Sequence, residues 1–319
     1  MIKYIYQFDF RNTDFSLYLK NRLKSVLLKM WRQEIHKLLE TNEIAFKSIE
    51  NQSVFELVYI PQHQLYLHLI DLQIFQNISL PNNYLQDFSE KINTQNQRII
   101  HLWEDVYLSK TDLVESRILA MLGKFNRLHA RHCFIERIDK PTADNFLKIN
   151  HLQGSVKAKF KYGLFLKSQY IERFFNSVVC GDTDNGIQSP QPKLIAVATF
   201  SGARTMKIGE RAGTRSFELI RFATLQNYVV VGGMDKLLKA FIVEHQPDDI
   251  MSYADRDWSD GRSYDKLGFT KIENTSPQSF YLNPTSQLRF SMNELTKDED
   301  LKIFNTGSIK YIKYVQSFI

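Results

Sequence analysis

Apolar residues recur at three- and four-residue intervals between Phe15 and Leu39. Leu19, Leu23, Val26, Leu27 and Met30 fall on one face, which predicts an amphipathic helix with Asp14 or Ser16 as N-cap. Farther along, the period shortens. Val54 to Ile60 and Leu65 to Ile70 are β-rich runs separated by Pro61-Gln62-His63-Gln64, predicting a hairpin, and Arg98 to Trp103 predicts a third strand. A helix follows from about Thr111 to Leu122, with Gly123 placed to end it. Together these elements predict a small α/β domain over 1–138.

A second domain, 139–285, opens with a short helix from Asn145 to Ile149 and a strand from Ser155 to Phe165. Lys157, Lys159 and Lys161 alternate there with Val156, Ala158, Phe160 and Tyr162, so a regular strand carries all three ammonium groups on one face. That face is either a solvated edge or a phosphate-facing ridge. Cys180 to Pro192 is turn-rich and predicts an insertion before a strand at Leu194 to Phe200. Arg204, Lys207, Arg211 and Arg215 then make a local positive field ahead of a strand at Phe217 to Phe222.

Residues 228 to 269 carry the densest signal. Tyr228 to Val231 predicts a strand, Gly232-Gly233 a turn and the stretch to Val243 a helix. A second apolar run leads into Ser252-Tyr-Ala-Asp-Arg-Asp-Trp-Ser-Asp-Gly261 and Tyr264-Asp-Lys-Leu-Gly-Phe269. Such an order brings backbone N–H groups and acidic side chains together at the C-terminal ends of strands. Asp255 and Asp257 are either helix N-caps or working carboxylates. Arg221, inside an apolar strand, needs a carboxylate or phosphate partner. In a regular strand Glu218 lies on the opposite face, which leaves Asp255, Asp257 or a ligand. His151 is expected to be a hydrogen-bonded structural residue. The polar stretch over 286–319 is expected to fold back as an appendage.

Composition narrows the class. With 319 residues, 43% hydrophobic and 24% charged, packed cores are expected and wholesale disorder is not. A net charge of +6 permits a polyanionic partner without demanding one. Cys133 and Cys180 stand far apart in no CxxC spacing, which argues against a disulfide framework or zinc site and fits a reducing compartment. No apolar run has membrane-spanning length, and Met1 to Arg11 lacks a signal-peptide core. A cytoplasmic location without a membrane partner is therefore expected.

Phe217-Glu-Leu-Ile-Arg-Phe-Ala223, Gly232-Gly233 with Asp235-Lys-Leu-Leu-Lys-Ala-Phe241, and Tyr264-Asp-Lys-Leu-Gly-Phe269 resemble GNAT-type N-acetyltransferases. The resemblance implies an acetyl-coenzyme A or other acyl-coenzyme A cofactor held near Gly232, Gly233 and Lys236. It also implies Tyr264 as general acid and Asp255, Asp257 or Glu218 as base. Val229 and Met234 depart from the usual cofactor signature. Ser252-Tyr-Ala-Asp255 resembles the corresponding segment of Mom-like DNA-modification proteins. Asn150-His-Leu-Gln-Gly154, Leu194 to Phe200, Tyr253 to Gly261 and Ile303 to Tyr311 are similar to phage homing-endonuclease-like proteins.

Those relatives imply an upstream Vsr-type nuclease domain of the PD-(D/E)XK class, and Arg98 to Glu104 with Lys110 to Ile118 resemble its closing strand and helix. Glu56-Leu-Val-Tyr59 places valine where a metal-binding acid belongs, leaving only Glu56, Asp71 and Glu104 as ligands, so no metal is expected. The expected fold class is thus α/β (α+β), a degenerate restriction-endonuclease-like domain followed by a GNAT-like mixed sheet. The expected function is acyl or related group transfer to a nucleic-acid or nucleotide amine, DNA ahead of RNA. Asp255 acts as base and Tyr264 as acid, and Lys157, Lys159, Lys161, Arg204, Arg211 and Arg221 contact phosphates. The alternative is a non-enzymatic nucleic-acid-binding protein that keeps both folds as scaffold.

Overall fold

A computed structural model describes residues 30–175, 191–207, 212–283, 286–291 and 300–315. Helix α1, over 30–41, is the described part of the predicted N-terminal helix and buries Trp31, Ile35 and Leu39. The earlier part of that prediction, the Cys180 insertion and Arg211 lie outside the described residues.

The first sheet follows as β1 (Lys47–Ile49), β2 (Glu56–Ile60), β3 (Leu65–Ile70) and, after α2 (Leu72–Asn77) and α3 (Tyr84–Thr94), β4 (Arg98–Trp103). Its order is β1-β2-β3-β4, antiparallel until the parallel β3·β4 pair that the α2–α3 crossover makes possible. The predicted hairpin closes as Pro61 starts the turn and Gln64 takes a left-handed φ of 48°. After β4 come α4 (Glu104–Ser109) and α5 (Thr111–Met121).

Every residue of β3 is buried, so His68 must find partners inside. It pairs in register with His101 of β4, and the two Nδ1 atoms lie 2.9 Å apart. Hydroxyl groups with one hydrogen each fix the direction of the chain. Ser89 Oγ donates to Leu85 O, so His101 Nε2–H donates to Ser89. His101 Nδ1 then accepts from His68, and His68 Nε2 accepts from Ser53, which in turn accepts from Tyr84 OH and the Phe55 amide. Burial keeps both rings neutral, lowering His68 well below its ordinary range and His101 to about 3.

The second half comprises β5 (Asn126–His129), β6 (Cys133–Arg137), α6 (Lys140–Asn150), β7 (Phe160–Leu166), α7 (Ile171–Phe175), β8 (Lys193–Phe200), β9 (Arg204–Thr205), β10 (Arg215–Thr224), β11 (Tyr228–Val231), α8 (Gly233–His245), β12 (Asp249–Asp255), α9 (Arg262–Lys266) and β13 (Thr270–Asn274). Then come β14 (Ser279–Leu282), β15 (Arg289–Ser291), β16 (Leu301–Phe304) and β17 (Ser308–Tyr314). Its main sheet runs β13-β17-β12-β10-β8-β7-β6, with β9 on β10. Phe160, Phe200 and Phe217 pack on Phe241 of α8 and form its centre.

Three expectations change. Of the stretch expected as an appendage, β17 is part of the main sheet: it lies between β12 and β13 and buries Ile309, Tyr311 and Ile312. The β15-β14-β16 sheet sets Leu282, Ile303 and Phe304 against Phe55, Phe75 and Trp103 of the first half. Second, β6 pairs with β7, so 133–137 belongs to the second sheet although it precedes position 138. Third, the lysine-bearing strand begins only at Phe160, after an irregular stretch that contains Gly154 at φ +63°. Lys157 and Lys159 are therefore exposed coil, and Lys161 acts on Asp144 of α6. The alternation does not become a ridge because the backbone there is not extended in a sheet. The α6 helix also starts earlier than predicted, where Asp139 caps the Thr142 amide at 2.9 Å.

Candidate functional site

Strands β10 and β12 pair in parallel only at Ser216↔Asp249, Phe217↔Ile250 and Glu218↔Met251. Beyond that point β10 follows β8 to Thr224 while β12 follows β17 to Asp255, and the seam between them opens. A bulge at Ile220 helps it open, since Leu219 faces Phe200 and Arg221 faces Thr199. Ser252 Oγ closes the apex by donating to Leu219 O at 2.9 Å. The opening is a cleft of roughly 630 Å³.

Glu218 and Arg221 both line this cleft. A regular strand puts them on opposite faces, but the extra residue in the bulge changes the alternation and brings them to one side. Arg221 donates to Gly154 O at 3.2 Å and Ile220 O at 2.9 Å, where Asp255, Asp257 or a ligand is expected. Burial lowers its pKa, and the charges of Glu218 and Asp255 oppose that shift.

Asp255 ends β12 on the cleft wall. Its Oδ2 accepts from Gln153 Nε2 at 3.1 Å and its Oδ1 from the Asp257 amide at 3.0 Å. It is half-buried by area, but protein encloses its remaining sides. This desolvation, with the neighbouring Asp257 charge, pushes its pKa up to about 7.

Tyr264, from α9, faces Ser252 Oγ at 3.0 Å. Because the Ser252 hydrogen goes to Leu219 O, Tyr264 is the donor of that pair. Its ring stacks on Tyr311 at 4.9 Å and meets Phe269 edge-on at 5.3 Å. The local chain needs Gly261, which has φ +82° and would place a Cβ 1.9 Å from the Tyr311 hydroxyl. Burial raises the Tyr264 pKa.

Asp257 is not part of this cleft. It is 4% exposed and accepts from Thr306 N at 2.9 Å, Thr306 Oγ1 at 2.5 Å and Trp103 Nε1 at 3.2 Å, while its carbonyl accepts from His101 N. Two residues from Asp255 in sequence, it joins the second sheet to β4. Burial raises both carboxyls and the Asp257 charge raises Asp255 further, while three donors hold the charge on Asp257, so the first proton the pair takes up goes to Asp255.

The glycine turn also has structural work. Gly232 is at φ +75°, and a Cβ on Gly233 would sit 3.0 Å from Val230. Lys236 Nζ is held by Ala130 O at 2.9 Å and Cys133 O at 2.6 Å. From this end of α8, Met234 reaches the cleft, whereas Gly232, Gly233 and Lys236 do not line it. Lys157, Lys159, Lys161 and Arg204 also lie outside its lining, with Arg204 exposed on the short β9 edge.

Sequence reasoning missed Arg117. It reaches the cleft from α5 and lies 5.5 Å from the Trp258 ring, and its Nε is buried without a hydrogen-bond partner among the described residues. The available signal was an arginine between the buried Val114 and Ile118 on an otherwise apolar helix face. His151 lines the same wall, accepting from the Gln153 amide at 3.2 Å; burial and the Arg221 charge lower it to about 3. Lys110 pins the neighbouring backbone through His151 O and Leu152 O.

The acids named for a nuclease are otherwise engaged. Glu56 faces Arg32 at 3.5 Å and His36 at 2.7 Å, Asp71 caps the Ile74 amide and Glu104 accepts from the Leu72 amide. Among the described residues no group of three or more His, Cys, Asp or Glu side chains is placed to hold a metal ion, and no helix is long and apolar enough to cross a membrane.

No family model matches the chain, and no curated protein matches it. Among solved structures it is similar to the NatC complex bound to Gag peptide and coenzyme A, at 9% identity and a TM-score of 0.30, over 58% of this chain and 99% of that one. It is similar to a Bacillus subtilis acetyltransferase in complex with coenzyme A, at 11% identity and a TM-score of 0.31, over 58% and 99%. A histone acetyltransferase HPA2-related protein from Corynebacterium glutamicum gives 11%, 0.30, 59% and 99%. Likenesses at this level carry no argument alone. The fold is mixed α/β.

Proposed function

We propose that the cleft between β10 and β12 transfers an acyl or related group from a coenzyme A thioester to an amine, with a nucleotide amine as acceptor. The observation that carries this reading is the divergence of two parallel strands into a cleft that both Asp255 and Tyr264 line. In the reaction, the amine nitrogen attacks the thioester carbonyl, its proton passes to Asp255, and the departing thiolate takes a proton from Tyr264. A carboxylate with a pKa near 7 is matched to removing a proton at neutral pH. The Tyr264 hydrogen, held on Ser252 Oγ before the reaction, turns to the departing thiolate. Arg117 and Arg221 give the cleft cationic groups for the phosphates of donor or acceptor.

The position of Gly232, Gly233 and Lys236 outside the cleft favours a second reading, a nucleic-acid-binding protein that retains the scaffold without the transfer. Thermal unfolding with acetyl-coenzyme A separates the two. At 100 times its dissociation constant a bound donor adds about 2.7 kcal/mol of stability. A raised midpoint supports transfer, and an unchanged midpoint at millimolar donor supports the scaffold reading. Mass spectrometry of nucleosides from cells with the wild-type protein and with Asp255→Ala then identifies the acceptor. Identical profiles would remove nucleic acid as the substrate.

A further inference from the structure

On the other side of the 256–263 segment lies a second groove of roughly 770 Å³, walled by α3 and the start of β4 on one side and by that segment with β13 on the other. Arg98, Arg256, Arg262 and Lys271 line it, against the acids Glu90 and Asp260. Asp260 is already taken by Arg262 at 2.8 Å.

Arg256 is the unusual member. It is only 8% exposed, and its ion pair is a single contact to the solvent-facing Glu90 at 3.2 Å. Its Nη1 is buried with no hydrogen-bond partner among the described residues. That donor is closed off from the groove, but the buried guanidinium adds its positive field to those of Arg98, Arg262 and Lys271, for which an anionic ligand bearing several oxygens supplies acceptors. Asn93, Asn96, Gln97 and Asn274 add neutral hydrogen-bonding groups along the same walls. The groove has room for more than one phosphate, and its charge balance favours an anion.

The two cavities are neighbours by construction. Trp258, Ser259 and Ser263 line both, and the adjacent residues Asp255 and Arg256 face one each. We infer that the groove binds the phosphates of a nucleotide or oligonucleotide and presents the attached base across the Ser259–Ser263 segment to Asp255. This inference rests on the transfer reading for the acceptor's orientation; the binding itself does not.

Full-length protein titrated into a short fluorescein-labelled single-stranded oligodeoxynucleotide, followed by anisotropy at increasing NaCl, tests it. The wild type is expected to bind with an affinity that falls linearly in log salt. Arg98→Gln/Arg262→Gln/Lys271→Gln binds at least tenfold more weakly, with a salt slope shallower by about two. Lys157→Gln/Lys159→Gln, outside the groove, binds as the wild type does. Competition by ATP assigns a mononucleotide ligand, and retained oligonucleotide binding in the presence of ATP assigns a longer chain. No binding of either probe at low salt, or a triple variant equal to wild type, overturns the inference. Because the assay contains no acyl donor, phosphate binding without an acetyl-coenzyme A thermal shift leaves the groove standing and the transfer reading fallen.

Discussion

Two polar regions meet at the 255–257 turn, and they are built in opposite ways. Around Asp257 the groups are closed on one another: Thr306 and Trp103 hold the carboxylate, Asp105 takes Arg289 through two bonds of 2.6 and 2.8 Å, and the chain from Tyr84 through His68 and His101 ends on a backbone carbonyl. Around Asp255 they are left open. Arg117 Nε has no partner among the described residues, the pKa of Asp255 is raised to about 7, and Tyr264 lines a space large enough for a substrate. Satisfied buried polar groups serve folding, whereas groups held away from satisfaction beside a cleft are where chemistry is expected.

Exchanging the two aspartates is the sharpest way to break this comparison. Asp255→Ala is expected to lower the transfer rate by about 10²–10⁴-fold while leaving the unfolding free energy nearly unchanged. A steady-state assay beside a urea melt reads both, and a large loss of stability would put Asp255 in the closed region. Asp257→Ala strands the Thr306 amide and Trp103 Nε1, and should cost about 3 kcal/mol or more in the same urea melt. Gly261→Ala should cost about 2 kcal/mol, because it combines a left-handed backbone with a collision at Tyr311. Its loss of activity should exceed its loss of stability, since Tyr311 supports Tyr264.

The closed region also responds to pH. His68 and His101 are neutral when folded and have an ordinary pKa of 6.5 when unfolded. Below that value the unfolded chain binds more protons, so stability is full above pH 6.5 and declines as pH falls toward 3. The expected slope is about 1.4 kcal/mol per pH unit for each histidine. Urea unfolding at pH 7, 6 and 5 measures it, with His151→Gln removing the share of the cleft histidine. A flat profile would mean that the buried pair takes up protons as the unfolded chain does, against the lowering that burial predicts.

Much of the fold was legible because apolar runs were bounded by turn residues. The strands at Leu65–Ile70, Arg98–Trp103 and Tyr228–Val231 have the predicted limits, and Asp255 and Tyr264 do share one cleft. What was hidden depends on long-range pairing. Nothing local to Ser308–Tyr314 announces a strand inserted between β12 and β13, and the bulge at Ile220 that turns Glu218 toward Arg221 exists only against β8. Asp255 and Asp257 are chemically alike in sequence. Only the donors contributed by Thr306 and Trp103 tell them apart. Arg117 was hidden for the same reason, since its helix belongs to the other half of the chain.

The most direct test is a pH titration of ¹³C-labelled aspartate carboxyl groups by NMR in wild type and Asp255→Asn. The account predicts one carboxyl with a midpoint near pH 7 that disappears in the variant while the remaining fold is retained. If Asp255 titrates in the ordinary aspartate range near 4, it holds no proton at neutral pH and the division between an open reactive carboxyl and a closed structural one is contradicted.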